Sequence, residues 1–155
     1  MNAVLSAIMT KISGSTFETD VGGRVFLDRA PDGTPFPYCI FFIVSNIPDD
    51  VFNKNGRNLL IQFSLFSSSS GGTEITTMYD DLHSLLNNDT LAVTGSTLIW
   101  MHEQDLTTMV EDITVLDATQ QVKVWHVDYE IVIAEEFATY DEGIGLGYGG
   151  LGGTP

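Results

Sequence analysis

The segment that most constrains the fold is the alternating run from Val122 to Ala134. Large apolar side chains alternate in this run with three polar side chains, so the two sets lie on opposite faces. The apolar set is Trp125, Val127, Tyr129, Ile131 and Ile133, and the polar set is His126, Asp128 and Glu130. Because successive side chains of a strand point to opposite faces, this period of two predicts a long antiparallel strand covered on one face.

Two further strands are predicted to form a hairpin with an extended tip. Tyr38 to Ser45 is aromatic and β-branched, and Leu59 to Phe66 alternates apolar with polar residues. The segment between them, Asn46 to Asn58, reads as a polar loop of 13 residues, far more than a tight hairpin needs. The first strand is apolar on both faces, which indicates a central strand or a face at an interface.

The remaining predicted elements are two helices, which lie singly between the strands, and three shorter strands. The spacing of apolar residues predicts helices over Asn2 to Ile12 and Thr73 to Asn87. Shorter strands are expected at Val25 to Leu27, Ser96 to Glu103 and Thr107 to Leu116. The predicted fold class is therefore α+β: a mainly antiparallel sheet with a long-looped hairpin, packed on one side by an N-terminal helix and a central helix.

The balance of charge excludes several classes of function. The chain of 155 residues has 21 acidic and 6 basic residues, a net charge of −15. A free-standing nucleic-acid binder or a protein docked on an anionic membrane needs clustered lysine and arginine. A hydrophobic fraction of 43% is too high for a disordered acidic tail. The sequence shows neither a signal-peptide pattern nor an apolar run long enough to span a membrane, so we expect a cytosol-like compartment or a place inside a larger particle.

Residues capable of catalysis are present but lack catalytic spacing. No phosphate-binding, dinucleotide-binding or nucleophile-elbow motif occurs. Cys39 lies within an apolar strand, where a thiol is inert, and a single cysteine forms no internal disulfide. His83, His102 and His126 each have acidic neighbours but no recognisable third metal ligand. We therefore predict no catalytic, metal or cofactor site.

Two segments are candidate contacts with other proteins. The hairpin tip has both signs of charge, which suits contacts between copies of one chain. The end of the chain is glycine-rich, with seven glycines among the eleven residues from Gly143 to Gly153. We expect one domain over 1–140 and a flexible tail over 141–155. The candidate interface residues are Asp49, Asp50, Phe52, Lys54, Arg57, Leu146, Tyr148 and Leu151.

One region resembles a known family more specifically than any motif above. It comprises Gly22 to Phe26, Arg29 to Gly33, and Pro35 to Phe42. This order of a glycine–arginine strand, a proline-rich turn and a hydrophobic strand resembles the tail terminator, or tail completion, proteins of long-tailed bacteriophages. The resemblance extends over about residues 2 to 136. The glycine-rich end and the long acidic stretch from Ser96 to Asp117 depart from the family pattern.

The resemblance implies a structural virion protein of the tail or neck that is not an enzyme and is assembled in the host cytoplasm. Such proteins form a ring, usually a hexamer, at the head-proximal end of the tail tube. The implied partners are other copies of the chain, the tail tube protein and the head–tail connector. DNA would pass through the ring without specific binding, helped by an acidic lumen. The open alternatives are another connector protein such as a stopper or adaptor, an acidic protein-binding module, and a small hydrolase or metal enzyme.

Overall fold

The computed structural model describes residues 2–50, 54–115 and 117–135. No described helix is long and apolar enough to cross a membrane. The elements in chain order are α1 (Asn2–Ile12), α2 (Thr16–Asp20), β1 (Val25–Leu27), β2 (Tyr38–Pro48), β3 (Gly56–Ser67), α3 (Thr73–Leu86), β4 (Ser96–Val115) and β5 (Ala118–Glu135).

The five strands form one sheet in the order β1-β2-β3-β5-β4. The short strand β1 pairs parallel to β2, and the other three pairings are antiparallel. The predicted α+β class with a mainly antiparallel sheet is confirmed. The predicted strand at Val25–Leu27 is confirmed as well, together with the helix at Asn2–Ile12 and the central helix, which ends at Leu86.

All three described helices contribute to one core on one face of the sheet. The apolar stripe of α3, which comprises Ile75, Met78, Leu82 and Leu86, is buried in it. Each such side chain stabilises the fold by about 1.5–3 kcal/mol relative to exposure. The sheet contributes its inward-facing residues, among them Phe41, Phe63, Tyr129 and Ile131. Cys39 is fully buried in the same core, and burial raises the pKa of its thiol, as the sequence predicts for a structural cysteine.

The predicted hairpin loop is wrong at both ends. Strand β2 continues to Pro48 and β3 already begins at Gly56, so the connection spans only 49–55. Ile47 pairs with Asn58 and Pro48 with Arg57. Polar residues and a terminal proline are tolerated there because the end of an edge strand faces solvent. A register shift between Ile43 and Ser45 accommodates the extension.

Three features were not predicted correctly from the sequence. The short helix α2 follows a serine cap, in which the Ser15 hydroxyl accepts from the Glu18 amide. The two strands expected within 96–116 are one strand, β4, with register shifts at Leu98/Trp100 and Glu103/Asp105. Strand β3 ends opposite Lys123, so β4 and β5 continue beyond it as a two-stranded arm.

Candidate functional site

The sheet face opposite the helices is a surface that a partner could cover. We call it the open face, and its rows follow from the strand register. Each row contains one residue from β2, β3, β5 and β4, in that order. The two end rows are Tyr38–Phe66–Val124–Met109 and Ile47–Asn58–Val132–Trp100. The three rows between them are Ile40–Ser64–His126–Thr107, Phe42–Gln62–Asp128–Asp105 and Ser45–Leu60–Glu130–His102. Most of the apolar residues therefore lie in the two end rows and along β2, and most of the polar residues lie in the three middle rows.

Cross-strand hydrogen bonds fix the polar middle of the open face. Asn58 Nδ2 donates to one Glu130 carboxylate oxygen at 2.6 Å. The other oxygen accepts from Gln104 Nε2 at 3.0 Å and from the Trp100 indole at 3.3 Å. Gln62 Nε2 donates to Asp128 at 2.8 Å in the neighbouring row. These bonds hold two carboxylates in defined positions, and the rows given above contain no lysine or arginine.

The apolar end of the open face is built on stacked aromatic rings. The centroids of Tyr38 and Phe66 lie 4.6 Å apart, and those of Phe36 and Tyr38 lie 5.3 Å apart. Burial raises the pKa of the Tyr38 hydroxyl, which stays neutral and acts only as a polar rim. Offset stacks of this kind contribute about 0.5–1.5 kcal/mol beyond the area they bury.

The candidate residues of the hairpin tip lie at the opposite end. Asp49 N donates to the Gly56 carbonyl at 2.9 Å, and Gly56 N donates to Asp50 Oδ1 at 3.3 Å. Lys54 is exposed beside them. Arg57 was expected in the loop but lies in β3, because the strand begins earlier than predicted. The remaining candidates, Phe52, Leu146, Tyr148 and Leu151, lie outside the described residues.

Arg57 is engaged within the chain. Its Nε lies 2.7 Å from Glu135 Oε1, and the two side chains are 39% and 37% exposed. An ion pair this exposed stabilises a fold by less than about 1 kcal/mol. Its main effect is therefore to orient the end of β5 beside the tip.

A small apolar pocket of about 220 Å³ opens between the tip and β4. Its walls include Asp49, Lys54 and Gly56 from the tip and Ile99, Trp100 and Val132 from the sheet. Ile99 and Trp100 are about half exposed, although both are large and apolar. A strand pattern assigns neighbouring residues to opposite faces, so the exposure of both Ile99 and Trp100 follows only from the register shift between Leu98 and Trp100.

A hydrogen-bonded cluster ties α3 to β4 on the helix-covered side. The Glu103 carboxylate accepts from the Tyr79 hydroxyl at 3.0 Å and lies 2.6 Å from His83 Nδ1. Asn87 Nδ2 lies 3.2 Å from His83 Nε2 and can donate to it, which favours the tautomer with the proton on Nδ1. Burial, with the Glu103 charge, raises the pKa of Tyr79. These contacts join α3 to β4. Among the described residues no group of three or more ligands could hold a metal ion.

The chain was compared with known proteins by its sequence and by its fold. The sequence matches the model of the family described as "Tail completion protein gp17" over residues 2–134. A comparison with curated proteins found no significant match.

The fold is similar to that of a chain in the solved structure titled "Virion of native gene transfer agent (GTA) particle". The TM-score is 0.62 at 11% identity, and the match covers 86% of this chain and 99% of that one. A second solved structure, 12% identical over 82% of this chain and 94% of its own, has a TM-score of 0.41 and supports no argument. At these identities the first likeness shows a shared fold.

Proposed function

The chain belongs to the tail completion protein gp17 family, which makes it a structural protein of phage tails, and we propose that it closes the tail tube as a ring of six copies. The observation that carries this proposal is the family match, which spans residues 2–134 and therefore all described elements but the last residue of β5. The family is one of structural tail proteins and not a known enzyme family.

The described surface supports assembly into a ring. A closed ring of identical copies needs two different, complementary surfaces on each copy. The sheet provides two unlike edges, a short β1 with the exposed end of β2 on one side and the long β4 on the other. We propose that the ring sits in the virion between the tail tube protein and the head connector, and that it assembles in the host cytoplasm.

The charge of the open face supports passage of DNA through the ring. Its rows carry Asp105, Asp128 and Glu130 and neither lysine nor arginine. If this face lines the lumen, fixed carboxylates repel the phosphates over a Debye length of about 8 Å in physiological salt. DNA would then slide through without specific binding.

A direct test uses purified tail tubes. The protein should bind at one end of each tube in negative-stain images, show six-fold averages there, and stop further addition of tube protein. A tube-free sample of the same protein at equal concentration is the control, because spontaneous aggregation would appear in both. Binding to isolated connectors with no effect on tubes would instead support a stopper or adaptor, and binding to neither would contradict a role in tail completion.

A further inference from the structure

We propose that the ring closes as one continuous sheet, in which the outer edge of β4 in one copy pairs antiparallel with the outer edge of β2 in the next. The paired segments are 105–110 of β4 and 42–47 of β2. This inference rests on the proposed ring and names the surfaces that form it.

The β4 edge is covered over one part and open over another. Met101 O accepts from the Asn88 amide at 2.8 Å, and the Glu103 amide donates to Asn87 Oδ1 at 2.9 Å. The segment after α3 therefore occupies the edge as far as Glu103. Beyond Asp105 no other described strand lies along β4 on this side. Open edges of this kind are templates for pairing with another chain.

The second edge is open for a different reason. Strand β1 is only three residues long and pairs with Cys39, Ile40 and Phe41. Strand β2 continues to Pro48, so its outer edge has no described strand beside it after Phe41. The two open stretches run in opposite directions in the sheet, which makes their pairing between copies antiparallel.

Exposed apolar side chains are concentrated on these strands. Eight large apolar residues of the described chain are exposed, and only Met9 lies on a helix. The others lie on β1, β2 and β4: Leu27, Val44, Ile47, Ile99, Trp100, Met109 and Val110. Four of the seven, Val44, Ile47, Met109 and Val110, lie within the two proposed segments, where a neighbouring copy would cover them.

The charges of the two edges favour pairing unlike edges. From Glu103 to Asp117 the chain has five acidic residues and no lysine or arginine. At the other edge, Arg24 and Arg29 flank β1 together with Asp28 and Asp32, so the charge there is near neutral. Arg57 lies on β3 between Pro48 and Ile133 and is paired with Glu135. Two β4 edges would repel each other because both are acidic, whereas a β4 edge and a β2 edge would not. Contacts between unlike edges repeat head to tail from copy to copy and can close into a ring.

The two open stretches give the register. Residues 105–110 of β4 and 42–47 of β2 have the same length, and their strands run in opposite directions. When the two stretches pair along their whole length, Thr107 lies opposite Ser45 of the next copy and Asp105 lies opposite Ile47.

Disulfide capture tests the register in the assembled ring. The double variant Thr107→Cys/Ser45→Cys, bound to tail tubes and oxidised, should give a ladder of covalent multimers up to the hexamer on a denaturing gel. Each single variant should remain monomeric or give dimers only. Cys39 is fully buried and should not interfere. The pair Thr10→Cys/Thr76→Cys, exposed on two helices, is the matched control and should give no ladder.

A second pair, Asp105→Cys/Ile47→Cys, tests the same register at another position. It is included because the first pair of cysteines could distort the strands locally. Both double variants should cap tubes like the wild type under reducing conditions, which shows that they fold. Capped tubes with six-fold rings and no ladder from either pair would overturn edge pairing while leaving the ring in place. Failure of the wild type to cap tubes would instead remove the proposed function and this inference with it.

Discussion

At the scale of single residues, Gly56 is the position where backbone packing leaves the least freedom. A Cβ on this residue would overlap the Asp49 carbonyl oxygen across the hairpin tip. We expect Gly56→Ala to lower the free energy of unfolding by about 2 kcal/mol, because backbone atoms of the connection after β2 would have to move. Urea denaturation measures the change. Gly71→Ala, where a Cβ meets open space, is the control and should stay within about 0.5 kcal/mol; equal effects would contradict the argument.

Asp20 makes stability depend on pH. Burial, followed by the neighbouring Asp81 carboxyl, raises its pKa from 3.8 to about 6 in the folded chain. The folded state therefore holds this proton more tightly than the unfolded state, and the resulting stability is present below about pH 4 and lost as the pH rises through 6.

The variant Asp20→Asn should remove this dependence. We expect it to raise stability at pH 7.5 by about 1 kcal/mol, allowing for screening of a partly exposed group. Thermal unfolding of both proteins between pH 4 and 8 measures the effect. Asp112→Asn, an exposed acid of the arm, should leave the profile unchanged. Parallel profiles for wild type and Asp20→Asn would show that another group is responsible.

At the scale of elements, the cluster around Glu103 joins α3 to β4. Glu103→Ala removes the acceptor of Tyr79 and the partner of His83, both partly buried. We expect a loss of about 2 kcal/mol, since lost bonds to a charged group and stranded donors both contribute. Chemical denaturation checks this value. Glu111→Ala on the same strand is exposed and should change stability little; a comparable loss there would indicate a general effect on β4.

The sequence predicts correctly the type of those elements that have one apolar face and one polar face. Helix α3 and strand β5 carry clean apolar stripes, so the period of the pattern predicts the type of both elements. Strand β5 begins at Ala118, four residues before the predicted start at Val122. The predicted strand bounds are wrong where polar residues belong to strands, as Asn58 does in β3 and Gln104 does at a register shift of β4. Their partners lie across the sheet in β5, and a pattern along one strand carries no information about them.

The structure places Asp49, Asp50 and Lys54 at the hairpin tip, where the sequence predicts them, and their role in contacts between copies stays a prediction. Trp100 and Ile99 join them only because the register of β4 on β5 brings them to that end of the sheet. Long-range pairing, and not local composition, determines which residues share this surface.

At the scale of the whole molecule, net charge opposes assembly even where local surfaces attract. Each copy carries −15, so a ring concentrates negative charge at every contact. Salt shortens the Debye length from about 10 Å at 0.1 M to about 3 Å at 1 M and screens this repulsion. We therefore expect association between copies, and capping of tubes, to strengthen by about tenfold between 0.05 and 0.5 M NaCl.

Sedimentation equilibrium or light scattering at several protein concentrations, with and without tubes, measures this dependence. Sodium sulfate matched to NaCl in ionic strength is the control, because it separates screening from the salting-out of apolar edges. Equal association at equal ionic strength would identify screening as the cause. Association that weakens with NaCl would mean that attraction between the acidic β4 edge and the basic residues beside β2 outweighs the net charge. In that case Glu111→Lys and Asp112→Lys should weaken the ring further at low salt.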